Sequence, residues 1–181
     1  MKNISHLQQL MHDNNILYGL DDLPMNTYGY FQSSESGDYI IIKDCIDIQN
    51  DDTLLKCVLA EEIGHYFTTI GINEPVNTNT YHRNMMIEKE ETKALKWATD
   101  YLIDTELLIA YLADHTLAKV PDIAHYFQVT ENLVINKLEF MKRKDEYWKL
   151  RDQIYLCLVR LPTIFIADLW DDSFIDFLES D

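Results

Sequence analysis

The distribution of glycine constrains the fold of this chain more than any other feature. All five glycines lie within the first 71 of 181 residues, and none follows Gly71. Glycine serves tight turns and positive-φ backbone, which a small sheet needs and a helix interior avoids. The sequence therefore predicts an α+β protein, in which a small antiparallel sheet packs on a helix and the C-terminal part is all-helical.

Three segments of the glycine-containing region have the composition of strands, at about 16–20, 27–32 and 39–42. Asp51 and Asp52 provide a cap and favourable charge for a helix at about 53–69. Further helices are expected at about 83–103, 105–114, 122–127, 131–144 and 145–160. The polar and apolar patterns thus predict that helices dominate the chain after the sheet.

The charge balance limits the classes of partner. Fifteen Lys and Arg residues stand against 31 Asp and Glu, which gives a net charge of −16. Such a field repels nucleic-acid phosphates and anionic membranes, and it attracts basic proteins or metal cations. Three widely spaced cysteines and the lack of an uninterrupted apolar span favour a cytoplasmic protein with no membrane partner.

The predicted helix at 53–69 contains a pattern that suits a metal ion. Glu61 and His65 are four residues apart, so both side chains lie on one face and can share an ion. Glu62 lies one step around the helix, where a carboxylate can act as a general base toward water. The alternative is an ordinary surface Glu–His pair on an amphipathic helix.

A second segment adds an acidic residue to this pattern. Ala94, Trp97, Ala98 and Tyr101 recur at helical spacing, and the small residues among them allow another helix to approach closely. Glu91 lies one turn before Ala94 and is therefore expected near the buried face. A carboxylate there needs a partner, which a metal ion would provide; the alternative is a carboxylate at the edge of the stripe.

The two segments together resemble the ImmA/IrrE family of metallopeptidases. The resemblance covers about residues 39–138 and rests on two runs, Leu59-Ala60-Glu61-Glu62-Ile63-Gly64-His65-Tyr66 and Glu91-Thr92-Lys93-Ala94-Leu95-Lys96-Trp97-Ala98. That family carries a His-Glu-x-x-His helix and an acidic third ligand on a later helix. The resemblance implies that Glu62 is catalytic and that Glu61, His65 and Glu91 bind the metal. Glu61 stands where the family has its first histidine.

The resemblance also implies a reaction and a partner. Similar proteins act in phage and mobile-element immunity circuits, where they cleave or otherwise inactivate a helix-turn-helix repressor. We therefore expect a zinc-dependent endopeptidase, with manganese or iron also compatible because Glu61 makes the site more anionic. The alternative is a non-catalytic antirepressor, which would keep the zincin-like scaffold and sequester the repressor.

The later part of the chain suggests two more segments. Residues 123–138 resemble a helix-turn-helix, and a basic stretch at 137–151 follows them. This permits DNA binding as a third interpretation, although a structural helical pair explains the same pattern. The predicted organisation is a zincin-like metallopeptidase domain at 1–115, a helix-turn-helix-like segment at 116–160, and an acidic C-terminal helix at 161–181.

Overall fold

The computed structural model describes residues 2–69 and 80–168, which contain seven helices and six strands. In chain order these are α1 (Ile4–Asp13), β1 (Ile16–Asp21), β2 (Gly29–Ser34), β3 (Gly37–Lys43), α2 (Ile46–Gln49), α3 (Asp52–Thr69), α4 (Thr80–Leu102), α5 (Thr105–Asp114), α6 (Val120–Phe127), α7 (Glu131–Lys142), β4 (Tyr147–Arg151), β5 (Ile154–Cys157) and β6 (Phe165–Asp168). The predicted α+β class is confirmed.

The chain divides into two compact units, Met1–Leu102 and Ile103–Asp181. The division falls where α4 ends and α5 begins, between Leu102 and Thr105. The sequence instead placed its first boundary after residue 115. Helix α5 therefore belongs to the same unit as α6 and α7.

The first unit contains a three-stranded sheet in the order β1-β3-β2. A tight turn through Gly37, at φ 133°, returns β2 antiparallel to β3. Strand β1 pairs with the other side of β3 and runs parallel to it. The prediction of a purely antiparallel sheet was wrong in this pairing, because β3 inserts between two strands that precede it in the chain.

Helix α3 covers one face of this sheet. The side chain of Asp51 accepts hydrogen bonds from the backbone N–H groups of Thr53 and Leu54, as expected for a cap. Ile40 and Ile42 of β3 are fully buried, as is Ile63 of α3. Burial of these side chains fixes the helix against the sheet and sets the direction of its polar residues.

Helices α3 and α4 approach each other closely at Gly64. A β-carbon at this position would lie 3.0 Å from the carbonyl carbon of Ala94 and 3.1 Å from its Cα, and closer still to the carbonyl oxygen. Ala94 and Ala98 are fully buried. The small residues of both helices therefore permit the contact that brings the two predicted motif segments together.

The second unit begins with three helices. Helix α6 ends at Phe127, and its C-cap Gln128 adopts a left-handed conformation with φ 53°; Thr130 caps α7 by accepting a hydrogen bond from the backbone N–H of Leu133. Ile123, Val134 and Leu138 are fully buried. The helices predicted at 122–127 and 131–144 are thus present, joined by a short turn.

Strands β4, β5 and β6 form a second antiparallel sheet. The all-helical C-terminal part and the helix at 145–160 were therefore wrong predictions. Tyr147, Trp148 and Tyr155 favour strands, and Asp152 forms the turn between them with φ 38°. The predicted acidic helix at 161–181 is wrong for residues 161–168, which form a turn followed by β6, and its residues 169–181 lie outside the described part of the chain.

The basic stretch at 137–151 is only partly available to a partner. Lys137 is 1% exposed, and its Nζ donates a hydrogen bond to the hydroxyl of Thr105 at 2.8 Å. The Nζ of Lys142 donates to the carbonyl oxygen of Val159 at 2.7 Å. These two lysines act within the second unit, which weakens the DNA-binding interpretation.

The hydropathy of the described helices was compared with that of membrane-spanning helices. Across residues 2–69 and 80–168, none of them combines the length and the apolar character that crossing a bilayer requires.

Candidate metal centre

The predicted metal-binding face of α3 is formed by residues near its C-terminal end. Glu61 and His65 are one helical turn apart, and both are half-buried. Glu62 is more deeply buried, at 8% exposure. The helix therefore presents an imidazole and two carboxylates with different degrees of solvent access.

Helix α4 contributes Glu91 to this group. The Nε2 atom of His65 lies 3.3 Å from the Oε2 atom of Glu91, and the two side chains are 15% and 57% exposed. Glu91 is thus more exposed than the sequence suggested, and its burial was a wrong expectation. Its predicted proximity to His65 is nevertheless present.

The Glu61 carboxyl lies in an unfavourable electrostatic environment. Burial raises its pKa above the ordinary value of 4.5, and the negative charge of Glu91 raises the pKa further. Glu61 and Glu91 are therefore close enough to repel each other. A cation between them would relieve that repulsion.

Glu62 is the most perturbed carboxyl of the group. Burial raises its pKa to about 8, and the charges of Glu61 and Glu91 act in the same direction. The backbone N–H of Phe31 donates a hydrogen bond to the carboxylate and partly opposes this rise. Glu62 is therefore held at a defined position between α3 and β2.

Gly29 of β2 makes room for Glu62. A β-carbon at Gly29 would lie 3.1 Å from Cγ of Glu62 and 2.8 Å from Cγ1 of Val58. The contributions of Gly29 and Phe31 were not predicted from the sequence. Gly29 lies within the strand predicted at about 27–32, and an isolated glycine inside a strand indicates a close approach by another group.

The distance between the His65 and Glu91 side chains can be compared with the spacing of ligand atoms around a divalent cation. Bonds of about 2.0–2.1 Å to a tetrahedral ion place two ligand atoms about 3.3–3.4 Å apart, which agrees with the 3.3 Å between His65 and Glu91. Among the described residues, no three His, Cys, Asp or Glu side chains already form a complete metal-binding group. A three-ligand site would require the Glu61 carboxylate to turn toward the His65–Glu91 pair.

The chemistry of the donor set fits a cation. Two carboxylates and one imidazole suit zinc, manganese or iron(II), and they carry enough negative charge to compensate a divalent ion. Comparison of the chain with models of known protein families, with curated proteins and with solved structures gives no match. The assignment of a function therefore depends on the arrangement of these residues.

Proposed function

We propose that this protein is a cytoplasmic, metal-dependent endopeptidase of the ImmA/IrrE type, which cleaves a helix-turn-helix repressor of a phage or mobile element. The observation that carries this proposal is the 3.3 Å contact between His65 of α3 and Glu91 of α4. It joins the two motif segments beside Glu62, a buried carboxyl with a strongly raised pKa. Such perturbed groups are characteristic of catalytic sites.

In this proposal Glu61, His65 and Glu91 hold the ion. The bound cation would supply Lewis-acid polarisation of the scissile carbonyl and of the attacking water. Zinc suits the imidazole and the tetrahedral spacing, whereas the two carboxylates also admit manganese or iron. Glu61 in place of a histidine makes the site harder and more anionic than a site with two histidines and one glutamate.

Glu62 acts as the general base and then as the general acid. Its carboxylate accepts a proton from the attacking water and delivers that proton to the leaving amine. In the absence of a cation, a pKa of about 8 leaves Glu62 protonated at neutral pH. Nearby positive charge lowers the pKa of a carboxyl and so provides the base form.

Among the described residues no strand pairs with the outer edge of β2, and this edge is suited to binding a peptide substrate. The backbone N–H of Lys43 donates to the carbonyl of Tyr28, so alternation in the ladder directs the N–H and C=O groups of Gly29, Phe31 and Ser33 away from β3. An extended peptide can pair with such an edge. Glu62 accepts from one of these N–H groups, and the edge therefore lies next to the proposed base.

The net charge supports the proposed repressor. A DNA-binding repressor usually presents a basic surface, which a chain with a net charge of −16 attracts. The antirepressor alternative is favoured by a different observation, namely that three ligands are not already gathered among the described residues. That alternative requires binding of the repressor without hydrolysis.

The experiment is cleavage of the repressor from the same mobile element by purified protein with added zinc, manganese or iron(II). We expect Glu62→Gln to reduce the cleavage rate by at least about 100-fold, because it removes proton transfer. The matched control Glu88→Gln changes an exposed carboxylate of α4 and should retain activity. Equal cleavage by the wild type and Glu62→Gln would remove Glu62 from the mechanism. A repressor that is bound but intact with every metal would establish the antirepressor.

A further inference from the structure

We propose that the outer edge of β1 and the apolar groove beside it form a docking site for an extended polypeptide segment with apolar side chains between basic residues. The segment would add to the sheet as a fourth strand. This site uses β1, α1 and the part of α3 that carries Leu55 and Leu59, whereas the candidate peptidase site uses the later part of α3 with β2 and α4. The inference is therefore independent of the proposed function.

Strand β1 is an edge strand with an unusual surface. Strand β3 pairs with one side of it, and no other strand of the described segments pairs with the opposite side. Leu17, Tyr18 and Leu20 are 53%, 47% and 50% exposed. Edge strands are normally protected by lysine, proline or a bulge, and the interior of β1 has none of these. An open, apolar edge is suited to pairing with another strand.

An apolar groove lies next to this edge. Its volume is about 320 Å³, and its lining is Ile4, Gln8, Met11, Tyr18, Leu55 and Leu59. A cavity of about 150 Å³ accommodates benzene. The groove can therefore accept at least one large aliphatic or aromatic side chain.

The register of β1 connects the edge to the groove. Tyr18 pairs with Ile40, which is buried under the helices, so Tyr18 lies on the helical side of the sheet. Leu17 pairs with Tyr39 and lies on the other side. Because side chains alternate along a strand, every second residue of an added strand would point toward the groove. Backbone pairing would provide affinity, and the groove would select apolar side chains.

The charges around β1 identify the occupant. Exposed Asp13 precedes the strand, and exposed Asp21 and Asp22 lie at its other end. Pairing with a second copy would bring these acidic ends together in either orientation, which is unfavourable. Two lysines near β1 are directed at backbone carbonyls: Nζ of Lys43 donates to the carbonyl oxygen of Pro24 at 3.0 Å, and Nζ of Lys56 donates to that of Lys2 at 3.4 Å. A segment with Lys or Arg at both ends complements this surface, as the apolar centre complements the groove.

The test measures binding of the labelled peptide Arg-Lys-Val-Thr-Leu-Thr-Val-Lys-Arg to the full chain by fluorescence anisotropy. A chelator is present so that no metal-dependent cleavage occurs. Tyr18→Ala should weaken binding by about tenfold, because it opens the groove and removes a packing surface. The matched control Leu107→Ala removes an equally exposed leucine of the second unit and should change the affinity by less than about twofold. A peptide with Glu and Asp at its ends should bind at least about tenfold more weakly.

Two N-methylated peptides test backbone pairing without altering the protein. One carries N-methyl groups on the Val and Leu residues, and the other carries them on the Thr residues. Because only alternate N–H groups of an added strand face its neighbour, exactly one of the two should lose binding. Failure of the parent peptide to bind at concentrations up to about 1 mM would overturn the proposal, because a site with a Kd of about 1 mM, which is already weak, would be half-occupied there. Equal effects of Tyr18→Ala and Leu107→Ala, or undiminished binding of both methylated peptides, would do the same.

Discussion

Gly64 of α3 packs directly on the backbone of Ala94 of α4, with no space for a β-carbon between them. This contact lies one residue before His65 and three residues after Glu91, the pair that approaches within 3.3 Å. The separation of the two helices and the geometry of the candidate metal centre therefore depend on the same glycine. The helical cost of glycine, about 1 kcal/mol relative to alanine, is offset by this close packing.

Gly64→Ala should destabilise the protein by about 1–3 kcal/mol, because overpacking against backbone atoms exceeds the gain in helix propensity. The measurement is urea unfolding followed by circular dichroism. Gly19→Ala is the control, since its β-carbon would meet only Cδ1 of Ile41, at 3.4 Å. Equal stability of Gly64→Ala and the wild type would contradict the close contact of the helices.

Glu62→Gln should make the metal-free protein more stable, increasingly so as the pH rises. The pKa of Glu62 is raised from 4.5 to about 8 in the folded state, so folding binds a proton between these values. Wild-type stability therefore falls with rising pH across that window, and glutamine, which does not ionise, avoids this loss. The difference should grow by about 3 kcal/mol from about pH 5.5 to about pH 8. Urea unfolding in the presence of a chelator measures it, and a difference independent of pH would contradict the buried position of Glu62.

Glu61→His should shift the metal preference toward zinc. The substitution replaces a hard anionic oxygen ligand by an imidazole nitrogen, which suits zinc better than manganese. We expect the ratio of zinc affinity to manganese affinity to rise by at least about tenfold. Competition between the two metals, measured with a chromophoric chelator, provides the ratio. An unchanged ratio would mean that Glu61 does not bind the ion.

Lys137→Ala should destabilise the second unit rather than affect binding of a partner. Lys137 is buried, and its Nζ donates to the hydroxyl of Thr105. Loss of this packing and of the hydrogen bond should cost about 2–4 kcal/mol of the free energy of unfolding. Lys144→Ala removes an exposed basic residue nearby and should cost less than about 0.5 kcal/mol. Similar free energies of unfolding for the two variants would contradict the burial of Lys137.

The parts of the fold that follow from local signals were predictable. Helix α3 has its cap at Asp51, and the spacing of Glu61 and His65 within it requires only helical geometry. The proximity of Glu91 could be anticipated because the alanines after it indicated a close helix contact. Its 57% exposure could not, since exposure depends on how the helix is rotated against its neighbours.

The parts that depend on non-local pairing were missed. The bond from Phe31 to Glu62 requires knowledge of which strand lies at the sheet edge and in which register. The parallel pairing of β1 with β3 has no local signature either. The helix predicted at 145–160 is replaced by β4 and β5. The turn at Asp152 and the cross-strand pairing determine this structure, and neither is visible in the local composition.

The measurement that tests the central claim most directly is the metal content and affinity of the purified chain. The account predicts one divalent ion per chain, as expected for a single three-ligand site. It also predicts that Glu61→Gln, His65→Ala and Glu91→Gln each weaken binding by at least about tenfold. Glu88→Gln, an exposed carboxylate one turn from Glu91, should bind the ion as the wild type does. No stoichiometric binding of zinc, manganese or iron(II) to the wild type, or equal binding by all four variants, would contradict a metal centre formed by α3 and α4.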